Sequence, residues 1–244
     1  MSAKQNLKTQ PHIKLSLDKK HSKVIVCGAP ERAELIASFL KSPKLLAKNR
    51  EYHSYLGTFK GEHVLVTSHG VGAAGAMICF QELIEAGAKN IIRVGTAGGL
   101  YAATKVGDVV VADSAIRLDG VSPLMVPLAY PSVPDHALTL ALSKSILKVL
   151  PKAKVGTILT TDMFYAGVLD DQLELYSRAN ALAVDMEAAA LFVVGRLKQI
   201  KTAAVFALDG NPISKKLYAP DAELMKKNIA LISKAALSAV VTSQ

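Results

Sequence analysis

The stretch Ile91-Ile92-Arg93-Val94-Gly95-Thr96-Ala97-Gly98-Gly99 decides the class of this fold. Two isoleucines and a valine read as a buried strand, and the glycines behind them as a turn at its C-terminal end. Such turns free backbone N–H groups, and α/β proteins hold small anions there. Arg93 is the anomaly, because a guanidinium inside an apolar strand is costly without a partner. It is paired with a buried carboxylate, reaches out at the strand's tip, or meets an anion beside the Thr96 hydroxyl.

Strands and helices alternate on either side of this segment. Toward the N-terminus, Lys23–Cys27 reads as a strand closing on Gly28-Ala29-Pro30, followed by a helix from about Glu31 to Leu40. His63–Ser68 is a strand and Gly72–Ala86 a helix. Asn90–Val94 is then the strand of the opening stretch, followed by a strand at Asp108–Ala112, a helix at Asp135–Leu150 and a strand at Lys154–Thr160. Val168–Asn180 reads as helix, Leu182–Val184 as a short strand and Met186 to about Lys198 as helix. Thr202–Leu208 is the last strand and Ala222–Val241 the closing helix. Such alternation predicts an α/β fold, a three-layer αβα sandwich with helices on both faces of the sheet. No linker or repeat divides the chain, so residues 1–244 read as a single domain with a polar N-terminal arm at 1–20.

Half of the 244 residues are hydrophobic, and the mean hydropathy is +0.28. Yet no apolar run approaches the roughly 20 residues of a membrane helix. The stretch Ala181–Gly195 is interrupted by Asp185 and Glu187, and the first twenty residues lack an apolar signal core. A cytoplasmic protein without a membrane partner is expected, with Cys27 and Cys79 as buried free thiols. So much apolar sequence with so few aromatics also points to surface buried between subunits. The net charge of +9 comes from scattered lysines, Lys41, Lys44 and Lys48 among them. No basic run is interleaved with aromatics and there is no tryptophan, so a solvated basic face is expected and no nucleic-acid partner. That face can draw anionic substrates inward.

Gly70-Val71-Gly72-Ala73-Ala74-Gly75 matches the dinucleotide-binding glycine pattern between a strand and a helix. A dinucleotide site also needs an acidic residue at the end of the next strand, where Val94-Gly95-Thr96 stands. Tight strand-to-helix packing is the better account of these glycines. The chain has no Walker A segment, H-E-x-x-H, paired C-x-x-C or G-x-S-x-G, so no metal is expected.

The remaining candidates sit where strands end. Gly28 opens a turn, and Arg32 stands in the first turn of the following helix, an end that favours anions over cations. Arg50 lies in the polar segment Asn49-Arg50-Glu51-Tyr52. Glu187 opens a helix in Val184-Asp185-Met186-Glu187, where a carboxylate is also ordinary dipole chemistry. Asp209 ends the last strand in an Asp-Gly pair, which is also a common turn. Phe164 and Tyr165 line a pocket for a flat ring or cap the core. Together these groups suit a phosphate, a sugar diol and a base.

With these motifs in order, the chain resembles the nucleoside phosphorylase-I family, the hexameric purine nucleoside and uridine phosphorylases. The resemblance runs through Pro11-His12-Ile13, Gly28 to Arg32, Asn49 to Tyr52, Ser68-His69-Gly70-Val71-Gly72, Arg93 to Thr96, Thr161 to Tyr165, Val184 to Glu187 and Leu208-Asp209-Gly210. It implies a mixed central sheet and a trimer of dimers. It implies phosphate binding by Gly28, Arg32, Arg93 and Thr96, joined by Arg50 from a neighbouring subunit. His12, also from the neighbour, would approach the ribose 5′-hydroxyl. Met186 and Glu187, with Asp185 beside them, would hold the ribose, while Phe164 with Tyr165 would cover the base. Asp209 would act as the acid at the purine N7, and no cofactor beyond inorganic phosphate would be needed.

Uridine phosphorylases usually carry a Gln and an Arg shortly after the Phe-Tyr pair. Here Ala166-Gly167-Val168-Leu169-Asp170-Asp171-Gln172 offers no such pair, which favours purines. The segment after Asp209 lacks the arginine that assists the acid in some purine enzymes, and Lys215 or Lys216 is the available substitute. Phosphorolysis of purine ribonucleosides such as inosine and guanosine is the expected activity, in purine salvage. Phosphorolysis of uridine is its alternative. Hydrolysis is disfavoured by Arg32 and Arg93, and a non-catalytic nucleoside-binding role by Glu187 and Asp209.

Overall fold

The computed structural model describes residues 9–214 and 222–242. Among these, nine strands form one sheet: β1 (Lys23–Cys27), β2 (Lys41–Asn49), β3 (Tyr52–Phe59), β4 (Glu62–Ser68), β5 (Asn90–Gly99), β6 (Val109–Leu118), β7 (Lys154–Thr161), β8 (Ala183–Asp185) and β9 (Lys201–Gly210). The helices are α1 (Pro30–Ala37), α2 (Ala73–Glu85), α3 (Ser122–Met125), α4 (His136–Val149), α5 (Leu173–Arg178), α6 (Ala188–Leu197) and α7 (Ala222–Thr242).

The strand order is β2-β3-β4-β1-β5-β8-β7-β6-β9. β1 pairs in parallel with β4 and β5, whereas β2, β3 and β4 form an antiparallel meander. The mixed sheet covered on both faces is as expected. Beyond that expectation, β9 returns to pair in parallel with β5 along its length. β5-β8-β7-β6-β9 therefore closes on itself as a five-stranded ring, and the open wing β1–β4 extends from its wall.

Side-chain alternation explains the layers. Val24 and Val26 of β1 face one core with Cys79, Phe80 and Leu83 of α2 and Leu191 and Phe192 of α6. Ile25 and Cys27 face the other with Ile36 of α1, Leu142 and Ile146 of α4, and Ile232 and Leu237 of α7. Each buried aliphatic side chain contributes about 1.5–3 kcal/mol relative to exposure. A continuous apolar run is what such a doubly covered strand requires. Both cysteines are buried and free, and among the described residues no helix is long and apolar enough to cross a membrane.

Three local expectations are corrected. The glycine-rich segment behind Arg93 is no turn, because β5 runs on to Gly99. A Cβ at Gly95 would stand 2.8 Å from Phe206 Cδ1, and one at Gly99 2.1 Å from Thr104. The glycines serve close approach of neighbouring chain, and their backbone joins the ladders to β9 and β8. Second, β2 and β3 form a hairpin where only a polar segment was expected. β2 is a sheet edge, exposed nearly throughout and carrying Lys41, Pro43, Lys44 and Lys48, which hides the periodicity and guards the edge. Third, helix at Val168–Asn180 is confined to Leu173–Arg178. The Asp170 and Asp171 carboxylates accept from the N–H groups of Gln172 and Leu173, competing with helix for those donors. Within the N-terminal arm, Ile13 and Leu15 are buried in the core.

Candidate active site

Three strands converge on one cavity. β1 stops at Cys27, β5 carries Arg93 and Thr96, and β9 ends at Asp209-Gly210. The cavity measures about 620 Å³ and is lined by Gly28, Arg32, Arg93, Thr96, Phe164, Asp185, Met186, Glu187 and Asp209, with Glu51 among the remaining lining residues. This volume lies in the usual range for small-molecule sites.

Arg93 settles the puzzle of the apolar strand. Its Nε donates to Asp185 Oδ2 at 3.1 Å, its Nη2 to Glu187 Oε2, and its Nη1 to His69 Nε2 at 2.9 Å. The guanidinium carbon lies 5.2 Å from the centroid of the Phe206 ring. The charge is thus paired with two carboxylates, one of the possibilities open from sequence, and it also lines the cavity. The anchors are themselves fixed. Asp185 Oδ1 accepts from Thr160 Oγ1 at 2.6 Å, and Oδ2 also accepts from the N–H groups of Glu187 and Ala188. Both Asp185 oxygens are therefore occupied within the protein. Glu187 Oε1 accepts the Gly72 N–H at 2.6 Å, and Gly72 reaches that pose with φ of +91°, which glycine adopts without strain. The fingerprint-like glycine segment thus supplies a donor to Glu187. Burial raises the Glu187 pKa, and Arg93 opposes the shift.

Arg32 differs. Its helix opens without a side-chain cap at Ala29, and among the described residues Arg32 forms no ion pair. Burial pushes its pKa down, with Arg93 adding to the effect and Cys27, Asp209 and Glu187 opposing it. Arginine stays cationic regardless. A half-buried, unpaired cation at the N-terminal end of α1 favours an anion in the cavity.

Asp209 sits where the β5–β9 register slips. Ala97 pairs with Leu208 and Gly98 with Gly210, so Asp209 falls between paired positions. Such bulges re-aim a side chain beside a site. Burial raises its pKa, while its own backbone N–H, Arg32 and the Thr96 hydroxyl pull it back.

Of the other expected residues, Phe164 lines the cavity, while Tyr165, Arg50 and His12 do not. Phe164 stands at the mouth, 58 % exposed, with Tyr165 packed edge-on at 4.9 Å and itself 85 % exposed outside the lining. Arg50 is exposed in the two-residue turn between β2 and β3, with φ of +52°. His12 is tied by its Nδ1 to Glu82 Oε1 at 2.6 Å, and its carbonyl accepts from Asn49 Nδ2. His12 and Arg50 thus share one region and neither lines the cavity of their own chain, although Glu51, the other residue of that turn, does. Lys215 and Lys216 lie outside the described residues.

Sequence reasoning did not single out Glu51, Thr160 or His69. Thr160 carries no distinguishing pattern, and Glu51 was noted only as a neighbour of Arg50. His69 does, as a titratable side chain directly after the apolar run Val64-Leu65-Val66.

A family model described as the phosphorylase superfamily matches residues 22–241. A purine nucleoside phosphorylase of Plasmodium vivax is 40 % identical over 206 residues, 84 % of each chain. A uridine phosphorylase structure from Vibrio fischeri superposes with a TM-score of 0.89 at 32 % identity, covering 98 % of this chain and 99 % of that one. A Toxoplasma gondii purine nucleoside phosphorylase in complex with immucillin-H gives 0.89 at 31 % identity, covering 98 % and 97 %. With a family model matching most of its length and a fold shared with these proteins over nearly the whole chain, the chain belongs to the phosphorylase superfamily, among the nucleoside phosphorylases.

Proposed function

We propose that this protein is a purine nucleoside phosphorylase, converting inosine or guanosine and inorganic phosphate into free base and ribose 1-phosphate. Asp209 carries the reading. A departing purine accumulates negative charge on its imidazole ring, and an acid at N7 must supply or share a proton. A free aspartic acid, with a pKa near 3.9, is ionised at neutral pH. Asp209 is shifted in the direction this role needs, by burial at the cavity edge.

In this reading phosphate binds between Arg32, Arg93, Thr96 and the turn at Gly28, and attacks the sugar C1′. Fixed cations align such a nucleophile and hold its charge. Glu187 and Met186 bind the ribose, with Asp185 holding Arg93 and the start of α6. Phe164 and Tyr165 cover the base. Arg50 and His12 serve the cavity of a neighbouring subunit in a hexamer built as a trimer of dimers. The reaction requires no cofactor.

Uridine phosphorolysis is the competing reading, favoured by the likeness to the Vibrio fischeri uridine phosphorylase. Incubation with inosine or uridine, with and without phosphate, separates the two. Phosphate-dependent release of hypoxanthine with ribose 1-phosphate is expected. Preferential cleavage of uridine, or equal turnover to free ribose in phosphate-free buffer, would overturn the proposal.

A further inference from the structure

His69 is fully buried and stands at the hub of the site, yet the reaction above gives it no part. Its Nδ1 lies 2.9 Å from Gly70 O, and its Nε2 2.9 Å from Arg93 Nη1. A carbonyl oxygen only accepts and a guanidinium only donates, so Nδ1 carries the proton and Nε2 presents its lone pair. Burial, with Arg93 adding to it, holds the imidazole pKa well below its ordinary value, so the ring is neutral. Phe80 packs edge-on against it at 5.4 Å.

Three acceptors, two carboxylates and an imidazole, thus hold Arg93: Asp185 at Nε, Glu187 at Nη2 and His69 at Nη1. A guanidinium has five N–H donors, so one on each terminal nitrogen is left over. Two carboxylates already match or exceed the charge of Arg93. A third carboxylate at Nη1 would fix the geometry equally well but would repel an anion entering beside it. A neutral imidazole orients the third edge and adds no charge.

We propose that His69 is a positioning residue for phosphate, acting through Arg93: it locks the guanidinium plane with a neutral acceptor and keeps the cavity hospitable to an anion. The proposal rests on the phosphorolytic reading and adds a residue to it.

The test varies phosphate and nucleoside separately in steady-state kinetics. It also follows the rise in Tm that millimolar phosphate alone produces, which needs no turnover. His69→Leu removes the acceptor and should raise the phosphate KM about 10-fold or more while leaving the nucleoside KM within about threefold. His69→Gln places an amide oxygen near the former Nε2 and should recover most of the phosphate affinity. The amide of His69→Asn is too short to reach Arg93, so this variant should resemble His69→Leu and replaces it if that protein does not fold. Phe80→Leu loosens the packing around the ring without touching the acceptor, and should lower Tm while leaving the phosphate KM unchanged. Equal changes in both KM values, or a His69→Gln no better than His69→Leu or His69→Asn, would overturn the proposal. A wild-type protein with neither phosphate-dependent turnover nor a phosphate-induced rise in Tm would instead overturn the phosphorolytic reading.

Discussion

Asp209 concentrates the conflict between stability and chemistry. Its folded pKa is raised, so the folded chain binds the proton more tightly than the unfolded one. The folded state is then favoured at low pH, and that advantage is lost as pH rises through the folded pKa. The group therefore contributes less stability at neutral pH than at low pH. Asp209→Asn removes the titrating group and keeps the shape, so its Tm at neutral pH should equal or exceed that of the wild type. Inosine phosphorolysis should meanwhile fall about 10²–10⁴-fold, the usual loss of a general acid. Nucleosides such as 7-methylguanosine need no proton at N7 and should lose much less. A lowered Tm with both substrates impaired alike would reduce Asp209 to a turn residue.

At the scale of elements, the β5–β9 pair sets the depth of the site. Gly95 leaves room for Phe206, and its missing Cβ would also stand 3.2 Å from Arg93 Cζ. Gly95→Ala should therefore cost about 1–3 kcal/mol in urea unfolding through overpacking. Phe206→Leu in the same chain should recover part of that loss, a coupling that only direct contact produces. Strictly additive losses would show that the two strands adjust without meeting at this point. The glycines of this segment were visible in the sequence, but their partner was not. Gly95 and Phe206 are 111 positions apart (206 − 95) and become neighbours only because β9 returns to pair with β5.

For the whole molecule, the position of His12 and Arg50 outside their own cavity favours action across a subunit boundary. The exposed Leu45 and Leu46 on edge strand β2 lie on the same wing as the Arg50 turn. Arg50→Ala and Asp209→Ala should each be nearly inactive alone. Mixed under conditions that exchange subunits, they should regain activity, since some cavities then receive an intact Asp209 and a neighbour's intact Arg50. Two inactive variants that stay inactive after demonstrated exchange would place Arg50 in its own chain's site or in none. The two-sided apolar runs of β1, β5 and β9 dictated a sheet covered on both faces, because no other layer arrangement buries both sides of a strand. Arg93, Arg32, Glu187 and Asp209 were visible as candidates in the sequence: Arg93 as a charge inside an apolar strand, Arg32 and Glu187 at the starts of helices, and Asp209 at the end of an apolar run. The closure of the ring, the edge hairpin β2–β3 and the choice of His69 as the third anchor of Arg93 were decided by tertiary structure. Each depends on which distant segments meet, and local periodicity carries no information about contacts between residues far apart in the chain.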